Sequence, residues 1–120
     1  MIIKPHFDLY ATHISNELGY GVFTNEFIKS GSIVETSYCV PVNPGVEWSD
    51  YKYMGKGSSL YMPLGFAAIY NHSDSPNIGW HIIGDRLVEF FSMKDINVGD
   101  ELRHSYGEKY WKQRGRKKIM

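Results

Sequence analysis

Turn-forming residues interrupt this chain at short intervals, and their spacing limits it to short secondary-structure elements. The 120 residues include 12 glycines and 5 prolines, with few long runs of helix-forming residues between them. The intervening runs are rich in β-branched and aromatic side chains, which is typical of strands. Two of these runs, Gly79–Ile83 and Arg86–Ser92, are separated only by Gly84-Asp85, which predicts a β-hairpin. Further strands are expected at Tyr20–Thr24 and Ser32–Val40.

The length of the chain supports one hydrophobic core and leaves no room for a second one. We therefore expect a single, small, mostly β domain. Two segments fit the strand pattern less well. Trp48–Met54 could form a short helix capped by Ser49 or a neighbour, and Leu64–Tyr70 is compatible with either a buried strand or an irregular core segment.

Composition excludes several classes of protein. With 42% hydrophobic and 22% charged residues, the chain is neither disordered nor fibrous. Apolar stretches such as Leu64–Tyr70 are too short to cross a bilayer, and no charged and apolar leader opens the chain. The one cysteine, Cys39, excludes an internal disulfide and any zinc site with two thiolates, and we expect it to be buried. These features predict an intracellular protein that does not associate with membranes.

The charges are distributed unevenly, although the net charge is zero. Residues 112–120 carry five basic side chains, which leaves 8 basic and 13 acidic residues in residues 1–111. An acidic body of this kind attracts basic partners. The basic tail is either a solvated end or an arm that binds phosphate groups, so contact with nucleic acid is not expected except through the tail.

Two common kinds of site are not supported by the sequence. His6 with Asp8 and His72 with Asp74 could supply metal ligands, but neither pair has the further ligands nearby that a closed site requires. Gly19-Tyr-Gly21 begins like a dinucleotide-binding loop but lacks the third glycine and the following helix. No metal and no dinucleotide are therefore expected.

Three segments place unusual residues at unusual positions. The two glycines of Gly19-Tyr-Gly21 either form a bulge at a strand entrance or let the backbone approach a ligand closely. Asn71-His72 directly follows an apolar run, so two polar side chains reach the edge of the core and need partners there, whereas Ser73–Asn77 reads as a structural turn. Gly99–Gly107 reads as a turn and a strand that ends at Tyr106, and its aromatic residues could simply belong to the core.

Taken together and in this order, the three segments resemble the SET domain of protein lysine methyltransferases. The matching motifs are Gly19-Tyr-Gly21, Asn71-His-Ser73 with Pro76-Asn77, and Gly99-Asp-Glu-Leu102 with Tyr106-Gly107. Phe27–Glu35 matches the linking segment of the family, and the resemblance covers residues 15–111. The chain is most similar to the short stand-alone SET enzymes of viruses, which lack zinc modules and end in a stretch like Tyr106–Trp111.

The resemblance implies the SET fold, in which several small sheets and few short helices are combined with a knot-like threading of the C-terminal segment. In that arrangement Asn71-His72 and Tyr106 meet in space. Residues 1–111 would form the catalytic domain, and residues 112–120 would be a basic tail.

The resemblance also implies methyl transfer from S-adenosylmethionine to a lysine side chain. Tyr106 corresponds to the catalytic tyrosine of the family. His104 stands where the family often has Phe or Tyr at a position that influences how many methyl groups are added, which leaves the product open. The cofactor would be bound by Gly19, Tyr20, Gly21, Asn71, His72, Tyr106 and Trp111. The lysine would be bound by Tyr20, Tyr51, His104 and Tyr110, with Tyr53 as a further candidate and core packing as the alternative role of these tyrosines.

The expected substrate is a lysine-containing basic protein or peptide, and the viral relatives suggest a histone tail. A homodimer is expected because those relatives are dimeric and a small domain with 18 aromatic residues does not readily bury them all. A viral protein of this kind would act in the cytoplasm or nucleus of a host cell. The alternative function is a catalytically inactive SET-fold module that binds a basic peptide or nucleic acid.

Overall fold

The computed structural model describes residues 2–41, 61–84 and 86–105, and these residues form a mostly β structure, as predicted. Its elements are short because turns separate them, in agreement with the spacing of glycine and proline. In chain order they are β1 (Lys4–Pro5), β2 (Leu9–Ser15), β3 (Gly19–Thr24), β4 (Ile33–Pro41), β5 (Tyr61–Pro63), a 3₁₀ helix (Gly65–Ala68), β6 (Asn71–His72), β7 (Ile78–Gly84), β8 (Leu87–Ser92) and β9 (Glu101–His104).

The first sheet has the strand order β1-β4-β8-β7, and β5 pairs with β4 beside it. All of these pairings are antiparallel. The predicted hairpin is confirmed, since β7 pairs with β8 from Ile78 opposite Ser92 to Gly84 opposite Leu87. Arg86, in the connection, has a φ of 62°, a left-handed conformation that type I′ hairpin turns have at this position.

The second sheet has the strand order β2-β3-β9-β6 and joins distant parts of the chain. β9 pairs antiparallel with β3 on one side and parallel with β6 on the other. β2 was not predicted from the sequence, because this edge strand is mostly exposed or half-buried and lacks the apolar alternation of a core strand.

The core lies between the elements of the two sheets. Ile28 and Ile96 form an isolated bridge between two loops and are both fully buried, which ties the two loops to the core. Cys39 is buried as predicted, and burial raises the pKa of its thiol to about 11. Among the described residues, the core cluster also contains Leu9, Val22, Val34, Ala67, Tyr70, Ile78, Val88, Phe90 and Leu102.

The ambiguous segment Leu64–Tyr70 contains the 3₁₀ helix rather than a strand. The cause is a buried carboxylate from β4: Glu35 Oε2 accepts the Phe66 N–H at 3.0 Å and Oε1 accepts the Tyr70 hydroxyl at 2.6 Å. Gly65 is required at the start, because its φ is +75° and an added Cβ would lie 2.7 Å from Glu35 Oε2.

One strand boundary was predicted wrongly. β9 ends at His104 instead of continuing to Tyr106, because its partner β6 is only two residues long and the last pair is His72 with His104. The predicted helix at Trp48–Met54 lies outside the described residues, and the knot-like threading stays a prediction. Within the described part of the chain, no helix is long and apolar enough to span a membrane.

Candidate functional site

The three motif segments lie on neighbouring strands of the second sheet. β3 carries Gly19-Tyr-Gly21, β9 carries the end of the Gly99–Leu102 motif, and β6 consists of Asn71-His72. β9 lies between the other two, since Val22 pairs with Leu102 and Asn71 pairs with Arg103. Tyr20 and Asn71, about fifty positions apart in the chain, are thereby brought close enough to form a hydrogen bond across the sheet.

Asn71 joins the three strands through its side chain. Its Nδ2 donates one hydrogen bond of 2.8 Å to Glu101 Oε2 on β9 and one of 3.2 Å to the Tyr20 carbonyl on β3. A buried-edge asparagine was expected to need partners, and these are the partners that the structure provides.

Glu101 is the acidic centre of this arrangement, and sequence reasoning assigned it no role beyond its motif. Its side chain is only 7% exposed, and its other oxygen, Oε1, accepts from Arg103 Nε at 2.7 Å and forms an ion pair with Nη2 at 2.5 Å. The sequence signal that could have identified this ion pair is the spacing of Glu101 and Arg103, because residues two apart on a strand face the same side of the sheet.

The two glycines of the first motif meet different surroundings. An added Cβ at Gly21 would lie 2.5 Å from Glu101 Oε2 and 2.5 Å from Ile14 Cδ1, so the carboxylate occupies the space that a side chain would fill. Gly19 has a φ of +69°, and none of the atoms of residues 2–41, 61–84 and 86–105 lies within 4 Å of its Cβ position. Among the described residues, the backbone at Gly19 is therefore left open, whereas Gly21 makes room for a neighbouring residue.

Tyr20 lies between these glycines with its ring at the surface. The residue is 57% exposed, and its ring is edge-on to that of His13 at a centroid distance of 5.6 Å. The carbonyl of Tyr20 is held by Asn71, so the backbone of this residue is fixed while its ring stays accessible.

His72 is buried beside Asp74 at the start of the following turn. Its Nε2 lies 2.8 Å from Asp74 Oδ1, and the next residue, Ser73, donates its N–H to the His104 carbonyl at 3.0 Å. Within the described ranges, no group of three or more His, Cys, Asp or Glu side chains is placed to hold a metal ion. His6, the other suggested ligand, contacts Thr36 Oγ1 at 2.9 Å.

Asn77 was assigned to a structural turn, and the structure shows that it holds β9 in place. Its Nδ2 donates to the Glu101 carbonyl at 2.8 Å, and its Oδ1 accepts the Arg103 N–H at 2.9 Å. The side chain therefore pairs with β9 like an additional strand residue, which fixes the backbone of the strand that carries Glu101.

His104 is buried and packs among aromatic rings of the core. Its ring meets Phe90 edge-on at a centroid distance of 5.8 Å and Tyr70 at 6.4 Å. Burial, reinforced by the neighbouring Glu35 carboxylate, raises the pKa of the Tyr70 hydroxyl well above its usual value. Contact between His104 and a substrate lysine stays a prediction. The remaining predicted site residues, Tyr51, Tyr53, Tyr106, Tyr110 and Trp111, lie outside the described residues.

Comparison with known proteins agrees with the arrangement of motifs. The family described as the SET domain matches residues 19–107. The fold is similar to a crystal structure from Plasmodium falciparum described as a "putative histone methyltransferase", with a TM-score of 0.69 and 31% sequence identity over 88% of this chain and 98% of that chain. None of the curated proteins matches the chain significantly.

Proposed function

The chain belongs to the SET domain family, and we propose that it is a protein-lysine N-methyltransferase that uses S-adenosylmethionine. The observation that supports this most directly is the convergence of three motifs on one sheet, where the Asn71 amide bonds to both Tyr20 and Glu101. The similarity to the Plasmodium protein supports the same class of activity.

The residues of the second sheet fit S-adenosylmethionine. The open space at Gly19 lets the backbone of β3 approach a ligand, and the Asn71 amide stands in a fixed orientation beside it. In this proposal Gly19, Tyr20, Gly21, Asn71 and His72 hold the cofactor, and the resemblance adds Tyr106 and Trp111, with Trp111 stacking on the adenine. The bound cofactor supplies a methyl group on a positively charged sulfur.

The acceptor lysine must lose a proton before its amine can attack. With a free lysine pKa of about 10.4, deprotonation at pH 7 costs about 4.6 kcal/mol. A channel of aromatic rings removes water from the ammonium group and lowers its pKa, so the proton can leave to solvent without a dedicated base. We assign this channel to the rings of Tyr20, Tyr51 and Tyr110, with His104 nearby, and we assign the orientation of the amine to the Tyr106 hydroxyl.

The substrate that we propose is a lysine in a flexible basic segment. Residues 1–111 contain 8 basic and 13 acidic residues, so this body attracts a partner of opposite charge. A histone tail is the first substrate to test, because the similar Plasmodium protein is described as a "putative histone methyltransferase". We also propose that the chain acts inside a cell and self-associates as a dimer.

The test is a transfer assay with the full-length chain. Isotopically labelled S-adenosylmethionine is incubated with the protein and a mixture of histones, and the products are analysed by mass spectrometry after proteolysis. Label on a lysine side chain is the expected result, and the spectra also give the number of methyl groups. Tight cofactor binding without any transfer would instead indicate the inactive binding module.

A further inference from the structure

We propose that Glu101, held by Arg103, is a positioning residue that sets the orientation of the Asn71 amide and thereby the affinity for S-adenosylmethionine. This inference rests on the proposed function for its link to the cofactor. The orientation of Asn71 itself follows from the contacts of the described residues and is testable without any ligand.

Both hydrogens of the Asn71 amide are used within the sheet. One is donated to the Glu101 carboxylate at 2.8 Å and the other to the Tyr20 carbonyl at 3.2 Å. Because both acceptors face the nitrogen Nδ2, the orientation of the amide group is defined. The carbonyl Oδ1 is therefore the end that is presented to a ligand. The bond to Glu101 is the stronger of the two, because its acceptor is charged.

The carboxylate of Glu101 divides its two oxygens between two partners. Oε1 accepts from Nε and Nη2 of Arg103, and Oε2 accepts from Asn71. Because the side chain is only 7% exposed, the negative charge depends on Arg103 for compensation. A glutamine at position 101 would turn an NH₂ group toward one of these donors, so it could satisfy Arg103 or Asn71 but not both.

The position of the carboxylate explains the second glycine of the first motif. Oε2 lies 2.5 Å from where a Cβ of residue 21 would be, so the bond to Asn71 exists only because residue 21 has no side chain. Glu101 therefore contacts both β3 and β6, the strands that carry the Gly19-Tyr-Gly21 and Asn71-His72 motifs, although Glu101 lies in neither motif.

The backbone of β9 keeps its hydrogen bonds when the charge of Glu101 is removed. Asn77 bonds to the Glu101 carbonyl and to the Arg103 N–H, and β3 pairs with β9 at Val22 and Phe23. We therefore expect Glu101→Gln to fold, with its main effect on the side chain of Asn71.

The experiment compares Glu101→Gln with Glu89→Gln in the full-length chain. Glu89 is a suitable control, because it is also a strand glutamate whose carboxylate has a nitrogen partner, His81 Nε2 at 3.0 Å, but it lies in the first sheet. Calorimetric titration measures the Kd for S-adenosylmethionine. Nuclear magnetic resonance measures the side-chain NH₂ signals of Asn71, which are assigned by their loss in Asn71→Asp.

Glu101→Gln is expected to raise the Kd about tenfold or more and to shift the Asn71 NH₂ signals, since a charged hydrogen bond is lost. Glu89→Gln should leave both unchanged. Arg103→Lys, which keeps the charge but loses the forked geometry, should shift the same signals and raise the Kd by a smaller factor.

Unshifted Asn71 signals in Glu101→Gln would overturn the inference, as would an unchanged Kd. The proposed function fails separately, if the unsubstituted chain does not bind the cofactor; the Asn71 signals then still decide whether Glu101 orients the amide. If Glu101→Gln does not fold, Arg103→Lys provides the same two readings.

Discussion

At the scale of single residues, the described part of the site is an arrangement of hydrogen bonds rather than a catalytic pair. Asn71, Glu101 and Arg103 form a connected series from β6 to β9, and Tyr20 connects it to β3. Such an arrangement suits a reaction that depends on orienting two reactants more than on acid–base chemistry.

The proposed role of Tyr106 predicts a loss of turnover without a loss of cofactor binding. Tyr106→Phe removes the hydroxyl near the transferred methyl group but keeps the ring that would contact the cofactor, so we expect the rate of transfer to fall by about 100-fold or more while the Kd for S-adenosylmethionine stays within about threefold. Parallel transfer and titration experiments measure both. A fully active variant would remove Tyr106 from the proposed mechanism.

Gly21→Ala tests whether the carboxylate of Glu101 needs the empty space at position 21. The added methyl group would meet Glu101 Oε2 and Ile14 Cδ1 at 2.5 Å, so we expect a cost of about 1–3 kcal/mol in the free energy of unfolding. Gly84→Ala is the matched control, since the nearest atom there, Leu87 Cδ1, is at an ordinary 3.7 Å. Urea unfolding compares the two, and equal stability would argue against a close contact at Gly21.

At the scale of elements, the 3₁₀ helix before Asn71 depends on a residue thirty positions earlier. Glu35 accepts from Phe66 and Tyr70, and this brings the 3₁₀ helix onto β4 directly before β6 begins. The pair is buried, so its loss affects the stability of the segment that positions Asn71.

Tyr70→Phe is the substitution that measures this contact. It leaves the buried Glu35 carboxylate without the Tyr70 hydroxyl, and we expect unfolding to become easier by about 1–3 kcal/mol. Tyr38→Phe, which removes a hydroxyl that accepts from the exposed Arg86 at 3.3 Å, should cost less than about 0.5 kcal/mol. Comparable urea midpoints for the two variants would contradict this account of the 3₁₀ helix.

Elements whose signals are local could be predicted from the sequence, and those that depend on distant partners could not. Gly84-Asp85 between two apolar runs was enough to predict the β7–β8 hairpin. The 3₁₀ helix and the end of β9 depend on Glu35 and on the two-residue length of β6, and neither is visible in the local sequence. The local motif was likewise enough to predict Asn71 as a site residue. The contact of Asn71 with Glu101, which spans thirty positions, was missed because it depends on a distant partner.

At the scale of the whole molecule, the acidic body predicts how substrate binding depends on salt. If the substrate is a basic segment, added salt screens its attraction to residues 1–111. We expect the KM for a histone-tail peptide to rise several-fold between about 50 and 500 mM salt, since the Debye length falls steeply over this range. Steady-state assays at several salt concentrations measure it, and a salt-independent KM would indicate a substrate held by apolar contacts.

The account depends most on the claim that the ends of β3 and β6 form the binding site for S-adenosylmethionine. The most direct measurement is a titration of the isotopically labelled full-length chain with this cofactor, followed residue by residue by nuclear magnetic resonance. We predict saturable binding with the largest shifts at Gly19, Tyr20, Gly21, Asn71 and His72. An absence of binding, or shifts confined to the first sheet, would contradict the claim.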